Sequence, residues 1–265
     1  MDLQLQNKVF LITGGAKGIG KGIATVLANE GAIPVIIDRD LSAIENTVHD
    51  LTSDSVKPLG IQAELTSPED CREAVEKAVL QFGKIDGLIN NAGVNDGIGL
   101  ASGDPERFLA SLQKNLNHYY SMAHYVLPYL KTTKGAIVNI SSKVAETGQG
   151  NTSGYAAANG GRNALTREWA VELLPFGIRV NAVIAAEVWT PLYKSWINGF
   201  ADPEDKLKTI TRRIPLEQRM TTTEEIANAV VFLLSSRASH ITGQLLHVDG
   251  GYVHLDRACT DVLIY

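Results

Sequence analysis

A serine, a tyrosine and an asparagine within one stretch could carry acid–base chemistry. Ser142 follows an apolar, β-branched run at 135–140 that reads as a buried strand. Tyr155 opens a helical pattern continued by Ala156, Ala157, Ala164, Leu165, Trp169, Ala170 and Leu173. A polar loop leaving a parallel strand lies at the carboxyl end of a sheet, where open α/β proteins bind ligands. That placement lets the Ser142 and Tyr155 hydroxyls converge on one substrate oxygen. One helical turn beyond the tyrosine stands Asn159, not a cation.

A second group could hold a phosphate-bearing cofactor. Gly14, Gly18 and Gly20 fall between an apolar run at 8–13 and a helical pattern through Ile23, Val26 and Leu27. Glycines let a backbone approach a pyrophosphate, and a helix N-terminus offers free N–H groups and partial positive charge. Asp38 closes the next apolar run, 33–37. Its carboxylate would accept hydrogen bonds from an adenosine ribose diol and repel a 2′-phosphate, which favours NAD. The neighbouring Arg39 leaves NADP open.

These groups need a scaffold, and alternating patterns supply one. Strand-like runs recur near 8–13, 33–37, 56–61, 85–90, 135–140, 178–184 and 244–248, with helical patterns between them. A helix is expected near 41–51, and another behind Ser67-Pro68 as N-cap and first residue. Asp104-Pro105 opens a long helix running to about 131, and Thr222-Thr-Glu-Glu225 resembles a capping box. Strands alternating with helices predict an α/β fold, a mostly parallel sheet covered on both faces. No repeat or Pro/Ser-rich linker interrupts the 265 residues, so one domain (1–265) is expected, with a lid segment at about 186–215.

Bulk properties exclude several classes. The formal charge is −5, and the longest basic run is Arg212-Arg213, which argues against nucleic acid or an anionic membrane surface as partner. No apolar run approaches the roughly 18 residues of a membrane span. The N-terminus lacks a basic and an apolar segment, so no signal peptide is expected. Cys71 and Cys259 stand far apart and read as reduced thiols, which suggests a cytoplasmic setting. The six histidines show no metal-ligand spacing. His118 and His124, with Tyr119, Tyr120, Tyr125 and Tyr129, read as a packing or subunit-interface stripe.

Together Thr13-Gly-Gly-Ala-Lys-Gly-Ile-Gly20, Asn90-Asn-Ala-Gly93, Asn115, Ser142, Tyr155 and Val248-Asp-Gly-Gly251 resemble the short-chain dehydrogenase/reductase family, in its order along the whole chain. Segments 91–99, 147–155, 165–170 and 186–193 are similar to bacterial L-fucose dehydrogenases. The resemblance implies a single-domain, Rossmann-type doubly wound parallel sheet of seven strands, a homotetramer, and hydride transfer between a secondary alcohol and nicotinamide. It implies Tyr155 as acid/base, Ser142 as the group binding the reacting oxygen, and Asn115 as holder of a relay water. Gly14, Lys17, Gly18, Ile19 and Gly20 would hold the pyrophosphate side, and Asp38, Glu64, Asn91, Ala92 and Gly93 the adenosine side. Thr190 would contact the carboxamide, and Tyr155 and Asn159, both also placed in the catalytic group, would touch the cofactor, Asn159 through a ribose hydroxyl. Asn95, Ser142, Gln149, Glu187, Trp189 and Tyr193 fall in segments expected to face a sugar or polyol, with L-fucose oxidised to a lactone.

The chain departs from the family in two places. Ala185-Ala186 replaces a Pro-Gly, which should loosen the turn beside the nicotinamide by about 1 kcal/mol. More seriously, Asn159 replaces the lysine one turn after the tyrosine. A free phenol titrates near about 10, so acid–base work at neutral pH calls for a nearby cation. A charge about 5 Å away at an effective dielectric near 20 is worth roughly 3 kcal/mol, and an amide supplies almost none of it. The expectation is a turnover weakened by roughly 10²–10³, with Asn159→Lys restoring at least tenfold. Lys143 follows Ser142 but points apart in an extended segment, so it is a poor substitute. The rival reading is a catalytically silent dinucleotide-binding sensor or scaffold.

Overall fold

The structure is a computed structural model describing residues 1–256. Its strands are β1 (Val9–Thr13), β2 (Ile33–Asp38), β3 (Leu59–Gln62), β4 (Gly87–Asn90), β5 (Ala136–Ser142), β6 (Arg179–Ala185) and β7 (Leu245–Val248). All pair in parallel in the order β3-β2-β1-β4-β5-β6-β7. The order reverses beside β1, which pairs with β2 on one side and β4 on the other. Chain connections diverge there, and a crevice opens at the carboxyl ends of the strands.

Strand side chains alternate between two cores. Phe10, Ile12, Ile36, Val138 and Val183 pack with Ile23 and Leu27 of α1 (Gly18–Asn29) and Ile226 and Val230 of α9 (Thr223–Leu234). Val9, Leu11, Val35, Ile137 and Val180 face the other way. They pack on Val75 of α3 (Pro68–Phe82), Tyr119 and Val126 of α5 (His118–Thr133) and Trp169 of α6 (Ser153–Glu172). This is the doubly wound, two-faced sheet expected from the sequence.

Local chemistry sets the element ends. Asp40 caps α2 (Leu41–Leu51), and Ser67 caps α3 in front of Pro68. The third strand starts later than expected, at Leu59, because Ser53 and Val56 close a turn and Pro58 has no N–H to donate. The long helix expected from Pro105 is instead α4 (Pro105–Leu112), a π-helical segment Gln113–Asn117, and α5. Such a bulge displaces carbonyls from the helical ladder and is frequent at functional sites.

The segment expected as a lid carries α7 (Pro191–Ile197) and α8 (Pro203–Thr211). It leaves and rejoins the body through a clasp: Trp189 N–H donates to the Thr221 carbonyl, and Thr221 N–H to that of Glu187, both at 2.9 Å. Among the described residues, no helix is long and apolar enough to cross a membrane. Cys71 is buried, and burial pushes its thiol up to about 12, so it is inert at neutral pH. Cys259 lies outside the described residues.

The capping box in front of α9 is present, with Thr222 and Glu225 each bonding the other's backbone N–H. The Arg219 guanidinium and then the Thr222 amide hold the Glu225 carboxyl down to about 2. A depressed carboxyl stabilises the fold above its ordinary value of 4.5 and loses that contribution as pH falls through about 2. Glu225→Gln should therefore cost about 1 kcal/mol at neutral pH, a typical capping contribution. Thermal melts from pH 7 down to 2 check this: the gap to the parent protein should close on acidification, and a constant gap would contradict it.

Candidate active site

The glycine turn joins β1 to α1. A Cβ on Gly20 would lie 2.1 Å from the Gly14 carbonyl oxygen, so backbone fills the space a side chain would need. The α1 N-terminus has no side-chain cap and no acid in its first turn. Its leading N–H groups are left for a ligand anion. The Thr13 hydroxyl accepts from the Asn91 and Ala92 N–H groups, and Asn91 Nδ2 donates to the Thr13 and Gly14 carbonyls. These bonds tie the β1 turn to the loop after β4.

One cleft of about 610 Å³ runs along the carboxyl ends of the strands. Gly14, Lys17, Gly18, Ile19, Asp38, Glu64, Asn91, Ala92, Gly93, Asn95, Ser142, Tyr155, Thr190 and Tyr193 all line it. A glycine cradle, an uncapped helix start and an acid at the end of β2 fit a dinucleotide. Asp38 Oδ2 accepts from Ala16 N–H at 3.2 Å, and Oδ1 from Arg39 N–H at 2.8 Å, which orients the carboxylate beside the turn. Glu64 spends Oε1 on Thr66, accepting from both its N–H and its hydroxyl. Thr190 caps α7 by accepting from Tyr193 N–H, and its hydroxyl proton remains available to a carboxamide oxygen.

Several expected residues sit elsewhere. Gly20 packs behind the turn. Gln149 is exposed on the loop before α6, outside the cleft lining, because Gly148 and Gly150 carry that loop into solvent. Trp189 is also off the cleft wall, 38% exposed and part of a ring ladder with Tyr193, Trp196 and Phe200. Glu187 acts through its neighbours: it is paired with Lys143 and accepts from the Tyr193 hydroxyl at 2.7 Å. Burial, then the Glu187 charge, pushes the Tyr193 phenol far up, so it stays a neutral donor. Lys143 is thus committed to Glu187, with its ammonium 4.0 Å from the Tyr252 ring centroid.

Asn115 and Asn159 are fully buried and turned inward. Asn115 Oδ1 accepts from Val94 N–H at 2.7 Å, and Nδ2 donates to the Ser111 carbonyl at 3.0 Å. Asn159 Nδ2 donates to the Tyr155 carbonyl at 2.8 Å. A cation reaches Asn159 from further along α6: Arg162 lines the cleft wall and donates to Asn159 Oδ1 at 3.0 Å. Arg162 stands two helical turns after Tyr155, beyond the single turn that separates the tyrosine from position 159, and nothing in the local sequence marks it. The fold also brings two histidines together with a glutamate that is far from them in the chain. Glu146, His247 and His254 bring possible ligand atoms within 4.8 Å of one another, though His247 Nε2 already bonds Glu146 at 3.1 Å.

Comparison with known proteins agrees with this geometry. The family model described as enoyl-(acyl carrier protein) reductase matches residues 14–253. The chain is 35% identical to 3-oxoacyl-(acyl-carrier-protein) reductase FabG of Thermotoga maritima, covering 95% of this chain and 100% of that one. It is 32% identical to L-fucose dehydrogenase of Bos taurus, covering 95% and 91%. The crystal structure of the Cj0485 dehydrogenase superposes with a TM-score of 0.93 at 46% identity, over 97% of this chain and 98% of that one. A sheet reversing at β1, a glycine turn at the reversal and a serine and tyrosine on one cleft thus meet in a member of the short-chain dehydrogenase/reductase family.

Proposed function

We propose that this chain oxidises a hydroxyl of a sugar or polyol with NAD, taking an L-fucose-like aldose to its lactone. The observation that carries this reading is the shared cleft: Ser142 and Tyr155 stand on the same wall system as the glycine turn and Asp38. Bound NAD would supply the hydride acceptor. Ser142 would hold the reacting oxygen, and Tyr155 would take its proton. Tyr193, backed by Glu187 and Lys143, lines the substrate end with polar groups that an apolar ketone would leave unpaired. The likeness to L-fucose dehydrogenase supports the same substrate class. Asp38 supports NAD over NADP.

Cofactor absorbance with a panel of aldoses, polyols and cyclic ketones, using NAD and NADP in parallel, tests the reading. Turnover with an aldose and NAD is the expected result. Glu187→Ala should raise KM for that sugar about tenfold or more by freeing Tyr193 and leaving Lys143 unpaired. Cofactor binding without turnover on any alcohol from pH 7 to 10 would instead favour the silent sensor.

A further inference from the structure

Arg162 lies seven residues after Tyr155 on α6, within about 20° of the same helix face at 100° per residue. Helical side chains lean toward the N-terminus, so its long stem runs back toward the tyrosine. Arg162 as a whole is 2% exposed. Nε and Nη2 donate to the Asn115 carbonyl at 2.8 and 2.5 Å, and Nη1 to the Ile140 carbonyl and Asn159 Oδ1 at 3.2 and 3.0 Å. One Nη2 proton is left over from these bonds. Cζ lies 4.3 Å from the Tyr119 ring centroid and 5.9 Å from that of Tyr155.

Three features make the placement specific. The π-helical segment turns the Asn115 carbonyl to the guanidinium. Gly93 leaves room: a Cβ there would stand 2.7 Å from Nη2. Among the described residues no carboxylate pairs with Arg162, and its acceptors are neutral. A buried cation without a counter-anion is costly, and its field falls on whatever can become negative beside it.

We propose that Arg162 stands in for the missing lysine, as the positioning residue whose charge stabilises ionised Tyr155 during proton transfer. This rests on the oxidoreductase reading above. Asn159 then belongs to the device: its amide oxygen holds the guanidinium, where a lysine would set a second cation against it. The other titratable groups around the pair contribute little charge. Burial, then the Arg162 charge, holds His118 down to about 3 and therefore neutral, and burial pushes the Tyr119 phenol well up. Lys143 and Glu187 neutralise each other, and the ammonium of Lys114, an exposed residue of the cleft lining, is screened by solvent.

The test uses cofactor-free protein with tyrosine labelled by ¹³C at Cζ, Tyr155→Phe assigning the signal. Arg162→Gln should move the pH at which the Tyr155 signal shifts upward by at least one unit, and Arg162→Lys should not. Arg162→Met, which fills the same space, serves as the second uncharged variant if Gln does not fold. With an oxidised alcohol, Arg162→Gln should lose on the order of a hundredfold in rate at pH 7 and recover most of it near pH 10. Asn159→Lys alone should gain less than twofold, against the tenfold expected if no cation were present. Unchanged phenol titration in the uncharged variants, an equal rate loss at every pH, or a tenfold gain from Asn159→Lys would overturn the proposal. If the parent protein oxidises no alcohol at all, the oxidoreductase reading fails, while the phenol titration still decides the role of Arg162.

Discussion

Tyr155→Phe is expected to lower alcohol oxidation by about 10²–10⁴-fold, the usual contribution of one general acid–base group. The change removes a single oxygen from a half-buried ring and leaves the ring's packing on α6 in place. Folding and cofactor affinity should therefore stay close to those of the parent protein. A purely structural tyrosine would give the opposite pattern, with lower stability and little loss of rate. Initial rates of NADH formation, beside fluorescence titration with NAD, separate the two. Retention of more than a tenth of the rate would remove Tyr155 from the proton path.

Gly20→Ala should have the second large effect, on binding instead of chemistry. The added Cβ would meet the Gly14 carbonyl oxygen at 2.1 Å and Asn91 Nδ2 at 2.8 Å. The first of these is backbone, so the turn itself must open. Overpacking of this kind costs about 1–3 kcal/mol, or roughly 2–10 °C in Tm for a chain of this size. Because the displaced atoms form the cradle, NAD affinity should drop at least a hundredfold. Thermal melts with and without NAD check both parts: the variant should melt lower and gain little from added cofactor. An NAD-induced rise in Tm equal to that of the parent protein would show that the cradle lies elsewhere.

The fold was readable in the sequence because its signals are local. Runs such as 8–13 and 33–37 are apolar on both faces, which suits only a doubly covered strand, and Ser67, Asp104 and Thr222 advertise helix starts by their own side chains. The glycine turn, Asp38, Ser142 and Tyr155 were legible for the same reason: each sits at the end of a readable element. The π-helical segment was not, since it packs on α6, about 40 residues further along the chain, and no Pro or Gly marks it at 113–117. Arg162 was hidden by the same kind of distance. An arginine inside an amphipathic helix reads as a solvated surface residue until the Asn115 and Ile140 carbonyls are seen to enclose it. Glu187 and Lys143, 44 residues apart, likewise become partners only through folding.

The two hydrogen bonds between 187–189 and Thr221 separate the mouth of the site from the frame beneath it. With the ends already held together, a change in the number of residues spanning 190–220 adds little closure entropy, about 0.6 kcal/mol for a doubling. The strands are then least exposed to edits made at about 198–211, away from Thr190 and Tyr193 on the cleft and from the Leu216–Gly250 hydrogen bond. If the proposed function holds, exchange of that stretch between homologues should alter substrate choice while leaving the strand frame in place.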